Sequence, residues 1–446
     1  MDKFFSLVIN EYIKILKKLS TKILLAVLAV CVVGFSAIFV IAKHTAQSEM
    51  IIEYSGNYTV DTAIADYDSQ IEWLNETKPD GYEDSIKLYE FMKANEIDYG
   101  DWRYSAAMSM EGSSYQEISP YLTTLAEDNW KDYCKLKLES GELSAGEKWA
   151  YAYRLEKNID FTEEFSQQNE IIVNVSQAKD SLAYTNPDDK ESRREFEEII
   201  AIGTYQLDNE IYSNTADMMS IYELDLSEDR GFWQIFMLTP SLVTVAAMLC
   251  IIIAGGCVSG EFHQGTIKFL LINPVKRWKI LMSKYFTVVT MGLALIAGIF
   301  ILSIPVVGIM HGFDGISTPY LYFSDDKVQS VNSFLIAMRS YLVSSIEVIV
   351  MSTFAFAISS LIRSSALAIG ASVFLMFAGS VVTQILAELG QDWGRFLIFS
   401  NLDLMNIYQG NSIFPQHTVF FAVMVLVAHM SVFILTAWDG FTKRSV

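Results

Sequence analysis

The sequence predicts an all-α polytopic membrane protein of six transmembrane helices, with a large, mainly helical extracellular domain between spans one and two. Three observations carry that expectation. The 446 residues are 52% hydrophobic yet bear a net charge of −20, which suits a membrane protein with an acidic soluble part better than one globular domain. The charge is segregated: His44 to Gly231 holds 41 of the 52 acidic residues but 15 of the 32 basic ones. Six apolar runs, each close to or above the roughly 20 residues a membrane helix needs, alternate so that the basic clusters fall on one side.

In chain order, residues 1–22 read as a cytoplasmic amphipathic helix. Phe4, Phe5, Val8, Tyr12, Ile15, Leu16 and Leu19 recur at helical spacing among Lys3, Lys14, Lys17, Lys18 and Lys22. The segment resembles the start of a signal peptide, but Ile23–Ala42 is long enough to remain as a helix and no small-residue cleavage site follows. An uncleaved first span over 23–43, with its N-terminus inside, is expected.

Residues 44–231 form the acidic extracellular domain. Helical periodicity is clearest at Ile64–Thr77, Glu83–Asn95, Pro120–Glu139, Glu147–Lys157 and Lys190–Tyr212. Pro79-Asp80-Gly81, Glu111-Gly112-Ser113-Ser114, Ser140-Gly141 and Asn186-Pro187-Asp188-Asp189 punctuate them. Glu170–Val175 (EIIVNV) is the one stretch that reads as a strand. Cys134 is the domain's single cysteine, so a disulfide within it is excluded and its stability must come from its own core. The many aromatics, Tyr99, Trp102, Tyr104, Tyr115, Trp130, Tyr133, Trp149, Tyr151 and Tyr153, fit core packing first and a ligand cleft second.

Residues 232–446 carry spans two to six. Phe232–Val258 and Tyr285–Met310 are spans two and three; His311–Asn332, with Gly312, Gly315, Pro319 and Asp325-Asp326, is an external loop. Ser333–Ile362 is span four, Arg363-Ser364-Ser365 a basic cytoplasmic turn, Ala366–Leu386 span five and Thr418–Ala437 span six. Both termini then lie in the cytoplasm, as in a bacterial plasma-membrane protein.

Between spans two and three, residues 259–284 are too polar to span and too apolar for an ordinary loop. Phe262, Ile267, Phe269, Leu270 and Leu271 mix with Glu261, His263 and Lys268, as in a short surface-lying helix. Pro274 ends that helix, and Lys276, Arg277, Lys279 and Lys284 place it in the cytoplasm. Glu261, Gly265-Thr266, Lys268 and the Pro274–Lys279 run ending at Lys284 resemble the first cytoplasmic loop of ABC type-2 transporter permeases. The N-terminal helix, the Arg363 turn and the Lys443-Arg444 tail are similar to that family too, so the resemblance covers about 1–43 and 232–446. The external domain departs from the family's small members, which have a short loop there.

The resemblance implies a coupling helix at 259–277, with Glu261, Gly265, Thr266, Lys268, Pro274 and Arg277 meeting a separate ATPase subunit. Glu261 contacts that subunit or only stabilises the N-terminus of the helix. It also implies an elbow helix at 1–22, a second permease (identical or related), two ATPase chains carrying ATP and magnesium, and export of an amphipathic cargo: a peptide antibiotic, a lipid-like compound or a drug. The residues themselves add what is missing. There is no G-x-x-x-x-G-K-[ST] phosphate loop, no H-E-x-x-H, no Cys/His cluster with zinc spacing and no G-x-S-x-G elbow. No catalytic residue, no metal site, no cofactor in this chain and no nucleic-acid partner are expected; membrane lipid is.

Arg339, Glu347 and His429 fall within spans four and six, where ionisable residues are expensive. They line a translocation path or form an intramembrane pair, His429 reaching Glu347 if the two helices pack together. A different class of function stays open: an extracellular-ligand sensor or resistance module, whose acidic domain attracts a cationic peptide without transport.

Overall fold

The computed structural model describes residues 2–54, 60–161, 167–212, 231–265, 275–362, 364–408 and 410–443. Helix α1 (Asp2–Lys17) breaks at Lys18 and continues as α2 (Leu19–Tyr54), whose Leu19–Thr45 part is span one. Five further helices or helical stretches are long and apolar enough to cross a membrane. Span two runs through Phe232–Leu238, a 3₁₀ turn at Thr239–Leu242 where Pro240 sits, and Val243–Cys257. Spans three to six are Arg277–His311, Ser333–Leu361, Ser365–Glu388 and Val419–Thr442.

Span four is central and packs against spans two, three, five and six, while span one lies on span three. Phe232, Phe236, Leu249, Ile299, Met351 and Phe356 are in the shared core. Some polar side chains inside it pair across helices, Thr239 with Tyr341 at 2.7 Å and Tyr285 with Thr353 at 2.9 Å, which offsets the cost of taking them out of water. The outward faces carry Ile38, Ile301, Leu342, Phe374, Phe420 and Leu435, the apolar surface a bilayer would cover.

Between spans one and two, eight helices among the described residues form two packed groups. The first joins α3 (Val60–Thr77), α4 (Tyr82–Ala94), α5 (Trp102–Met108), α6 (Tyr115–Ala126) and α7 (Trp130–Ser140). Its core holds Tyr67, Tyr89, Trp102 and Tyr133, with Trp102 stacked on Phe161 at 5.3 Å, so most of the aromatics are core, as their bulk favours. The second group joins α8 (Ala145–Lys157), α9 (Gln167–Tyr184) and α10 (Lys190–Asp208) around Tyr153, Ile172, Val175 and Leu207. The α9–α10 approach is so close that a Cβ on Gly203 would lie 2.3 Å from the Val175 side chain. At the start of α8, Ser144 and Glu147 form a capping box, and Asp180 of α9 accepts from Ser144 and the Gly146 amide.

Two expectations are corrected, and one loop holds more structure than expected. Glu170–Val175 lies inside helix α9: Ile171, Ile172 and Val175 are buried at helical spacing, so packing overrides the β-branched composition. Pro120–Glu139 is two helices, because Asp128 takes φ 50° and Asn129 caps a new start by accepting from the Asp132 amide. The all-α class fits, with one small strand pair set into a loop. Within 311–332, β1 (Tyr320–Ser324) and β2 (Lys327–Val331) pair as an antiparallel hairpin. Its two-residue turn, Asp325-Asp326, has φ 52° and 56°, the left-handed pair that matches strand twist. The hairpin projects between spans three and four and packs against α10.

The chain thus has two polar faces. One carries α1, residues 258–265 and 275–276, Ile362, Ser364 and Lys443; the other carries the helical domain, the hairpin and residues 389–408 and 410–418, where 3₁₀ turns lead to a short helix at Leu404–Tyr408.

Candidate functional site: a buried clasp at the span-two turn

The face bearing α1 contains four charges folded into one network. On α1, Val8, Glu11 and Ile15 share one buried side, so an acid stands in the middle of an apolar stripe. That stripe packs on span three, where Tyr12 donates to Thr290 at 2.5 Å and Phe4 meets Phe286 edge-on at 6.3 Å. Two turns into span three, Lys284 points back towards it. Its Nζ lies 2.9 Å from Glu11 Oε2 and 2.7 Å from Glu261 Oε1. Lys14 closes the ring at 3.0 Å from Glu11 and 3.3 Å from Glu261.

The side chains of Lys284, Glu11 and Glu261 are only 1%, 9% and 12% exposed. Two cations against two carboxylates give a neutral cluster, which is what lets a lysine be buried at all. For Glu11, burial acts to raise the carboxyl pKa, but the Lys284 and Lys14 ammonium groups outweigh it and hold it below its ordinary 4.5. A cavity of about 310 Å³ adjoins the cluster, between the α1–α2 break and the end of span two.

Serine chemistry fixes the turn from the opposite side. Span two stops at Cys257, and a five-residue helix, Ser259–His263, begins at once. The amides of Val258 and Ser259, freed by that break, donate to Ser359 Oγ of span four at 3.2 and 3.0 Å. Ser359 in turn donates to the Gly255 carbonyl at 2.7 Å. Elbow, span three and span four therefore converge on the first residues after span two.

Of the sequence-predicted coupling residues, Glu261 faces inward into this clasp, Gly265 is exposed at φ 69°, and Arg277 opens span three with a 3.4 Å bond to the Thr442 carbonyl. Thr266, Lys268 and Pro274 lie outside the described residues, as does Arg363. Lys284 is corrected: it is not a surface charge of the loop but its buried anchor. Sequence reasoning also missed Glu11 and Ser359; the acid at position 11 between Val8 and Ile15 was the visible sign.

Arg339, Glu347 and His429 are not brought together. Arg339 lies over the Tyr408 ring at 4.7 Å, Glu347 accepts from Thr244 of span two at 3.3 Å, and His429 bonds the Val425 carbonyl of its own helix at 2.9 Å. Spans four and six do pack, yet each ionisable side chain finds its own partner. A polar knot not foreseen from the sequence ties the segment between spans five and six: His417 bonds Asn401 at 2.9 Å and Ser412 at 2.8 Å.

Six apolar helices among the described residues, span four packed against four of the others and span one against span three, define a multi-pass membrane protein. The family model for DUF2705, a protein of unknown function, matches residues 208–446, and the chain belongs to that family. It is 32% identical over 253 residues to "Uncharacterized protein YhcI" of Bacillus subtilis (strain 168), covering 56% of this chain and 76% of that one. It is 34% identical over 219 residues to "Uncharacterized membrane protein YdbK" of the same organism, covering 49% of this chain and 85% of that one. No solved structure matches.

Proposed function

We propose that this chain is the membrane-spanning subunit of an ATP-driven exporter of the type-2 permease class. It works with two ATPase subunits and a second permease, and it moves an amphipathic cargo across a bacterial plasma membrane. In this reading the face with α1 and the span-two turn is cytoplasmic, which puts Lys14, Lys17, Lys18, Lys22, Lys276, Arg277, Lys279 and Lys443 inside and the acidic domain outside.

The observation that supports it most is the clasp. Lys284 ties Glu11 of α1 and Glu261 of the span-two turn to span three, so a push on 259–276 moves elbow and span together. Glu261 acts by holding the turn, and the exposed His263, Gln264 and Lys276, which flank 266–274, are the surface offered to the ATPase. The chain has no phosphate loop, so the work comes from the partner.

Mild-detergent purification of the tagged chain from its native host tests this. A stoichiometric ATP-hydrolysing subunit should accompany it and be lost in the His263→Glu/Lys276→Glu variant. A folded chain that emerges alone, without nucleotide hydrolysis, rejects the exporter reading.

A further inference from the structure

The acidic domain has one surface whose charge runs opposite to its own. A groove of about 1100 Å³ opens between α8, α9, α10 and the hairpin. Trp149, Ile200 and Tyr205 give it an apolar wall, with Trp149 held by stacking on Tyr153 at 5.2 Å. Lys179, Arg193 and Lys327 stand around that wall on three different elements, α9, α10 and β2.

The three cations are not neutralised. Lys179 lies 5.3 Å from the centre of the Trp149 ring, and Arg193 donates to the carbonyls of Leu182 and Thr185 at 3.4 and 3.5 Å. Among the described residues none of the three forms an ion pair. Of the two carboxylates in the groove, Asp208 is offset by Lys157 at 3.2 Å, which leaves Glu197 against three positive charges. In a domain so rich in acids, three cations that share one groove with a single unpaired carboxylate form a site for an external anion.

The chemistry narrows the ligand. A phosphomonoester carries close to two charges at neutral pH and offers several acceptor oxygens, which suits two lysines and an arginine better than a single carboxylate does. The indole and phenol rings beside them suit an apolar tail. We propose that this groove binds an amphiphile with a phosphate head, the head between Lys179, Arg193 and Lys327 and the apolar part against Trp149, Ile200 and Tyr205. Because Lys327 belongs to the hairpin, whose ends lead into spans three and four, the bound ligand fastens the helical domain to the membrane bundle.

The test is calorimetric titration of the full chain in phosphatidylcholine nanodiscs with dihexanoyl phosphatidic acid, empty discs serving as blank. Dihexanoyl phosphatidylcholine and inorganic phosphate are titrated alongside. The phosphatidic acid should bind saturably and at least about tenfold more tightly than either, the equivalent of 1.4 kcal/mol. Lys179→Glu/Lys327→Glu should weaken it by about tenfold or more, and Glu197→Lys should tighten it, a gain that misfolding does not produce. Inorganic phosphate binding as tightly as the amphiphile, phosphatidylcholine doing so, or affinities unmoved by these charge changes would overturn the proposal. No ATPase is present, so the result stands apart from the exporter reading.

Discussion

Replacing Lys284 by methionine keeps the side chain's length and apolar stem but removes the charge that two buried carboxylates share. Glu11 and Glu261 would then face each other across a largely buried site, with only the half-exposed Lys14 between them. Removing one partner of a buried ion pair destabilises by about 3–5 kcal/mol, because the remaining charge stays buried and uncompensated. For a bundle of roughly 200 residues, that corresponds to a fall in unfolding temperature on the order of 10 °C. The assay is thermal unfolding of the purified chain in detergent, followed by near-UV circular dichroism. The neutral triple variant Glu11→Gln/Lys284→Met/Glu261→Gln should recover most of the loss, since a whole buried network is often replaceable at little cost while half of one is not. An unchanged midpoint for Lys284→Met, or a triple variant as unstable as the single, would refute the clasp.

Other consequences are testable in the same preparation. The depressed Glu11 pKa contributes stability that is complete above the ordinary value of 4.5 and is lost as pH falls through the lower folded value; the protection of α1 amides, relative to their intrinsic exchange rates, should therefore fall below about pH 4 and stay flat above pH 5. Ser359→Ala leaves two buried amides without an acceptor, a loss of about 1–3 kcal/mol, and should raise exchange at 258–265 selectively. Burial, followed by the nearby Arg395 charge, holds His417 below its ordinary 6.5, so the knot with Asn401 and Ser412 contributes most above that value. Protection of amides in 395–408 and 410–417, relative to their intrinsic exchange rates, should accordingly decrease between about pH 7.5 and 5.5. Burial pushes the Cys134 thiol up to about 12, so a charged maleimide at pH 8 should label it only after unfolding.

The spans were legible because length and apolarity are properties of one segment: Ser333–Leu361 was expected almost to the residue, and Phe232–Val258 nearly so. Span three begins earlier than expected, at Arg277, because the basic residues belong to the helix and Lys284 is neutralised by partners 23 and 273 positions away. Nothing local announces such a pairing. The Ser359 contact spans about a hundred positions and was invisible for the same reason. The hairpin was readable in principle. Tyr320–Ser324 and Lys327–Val331 flank a two-residue turn, but Asp-Asp signals a hairpin less strongly than Asn-Gly and reads equally as part of an acidic loop. In the domain, most aromatics went to the core, while Trp149 lines a groove assembled from helices and a hairpin that are distant in sequence.

The exporter reading is tested most directly by site-directed crosslinking in native membranes. Cysteines placed at the exposed positions Gln264 and Lys276, and at Tyr184 on the opposite face as a control, are treated with a membrane-permeant bifunctional maleimide in a background free of the native cysteines. The account predicts that positions 264 and 276 capture the same ATP-hydrolysing subunit and that position 184 does not. Capture of no such subunit at 264 and 276, or its capture from 184 alone, would contradict it.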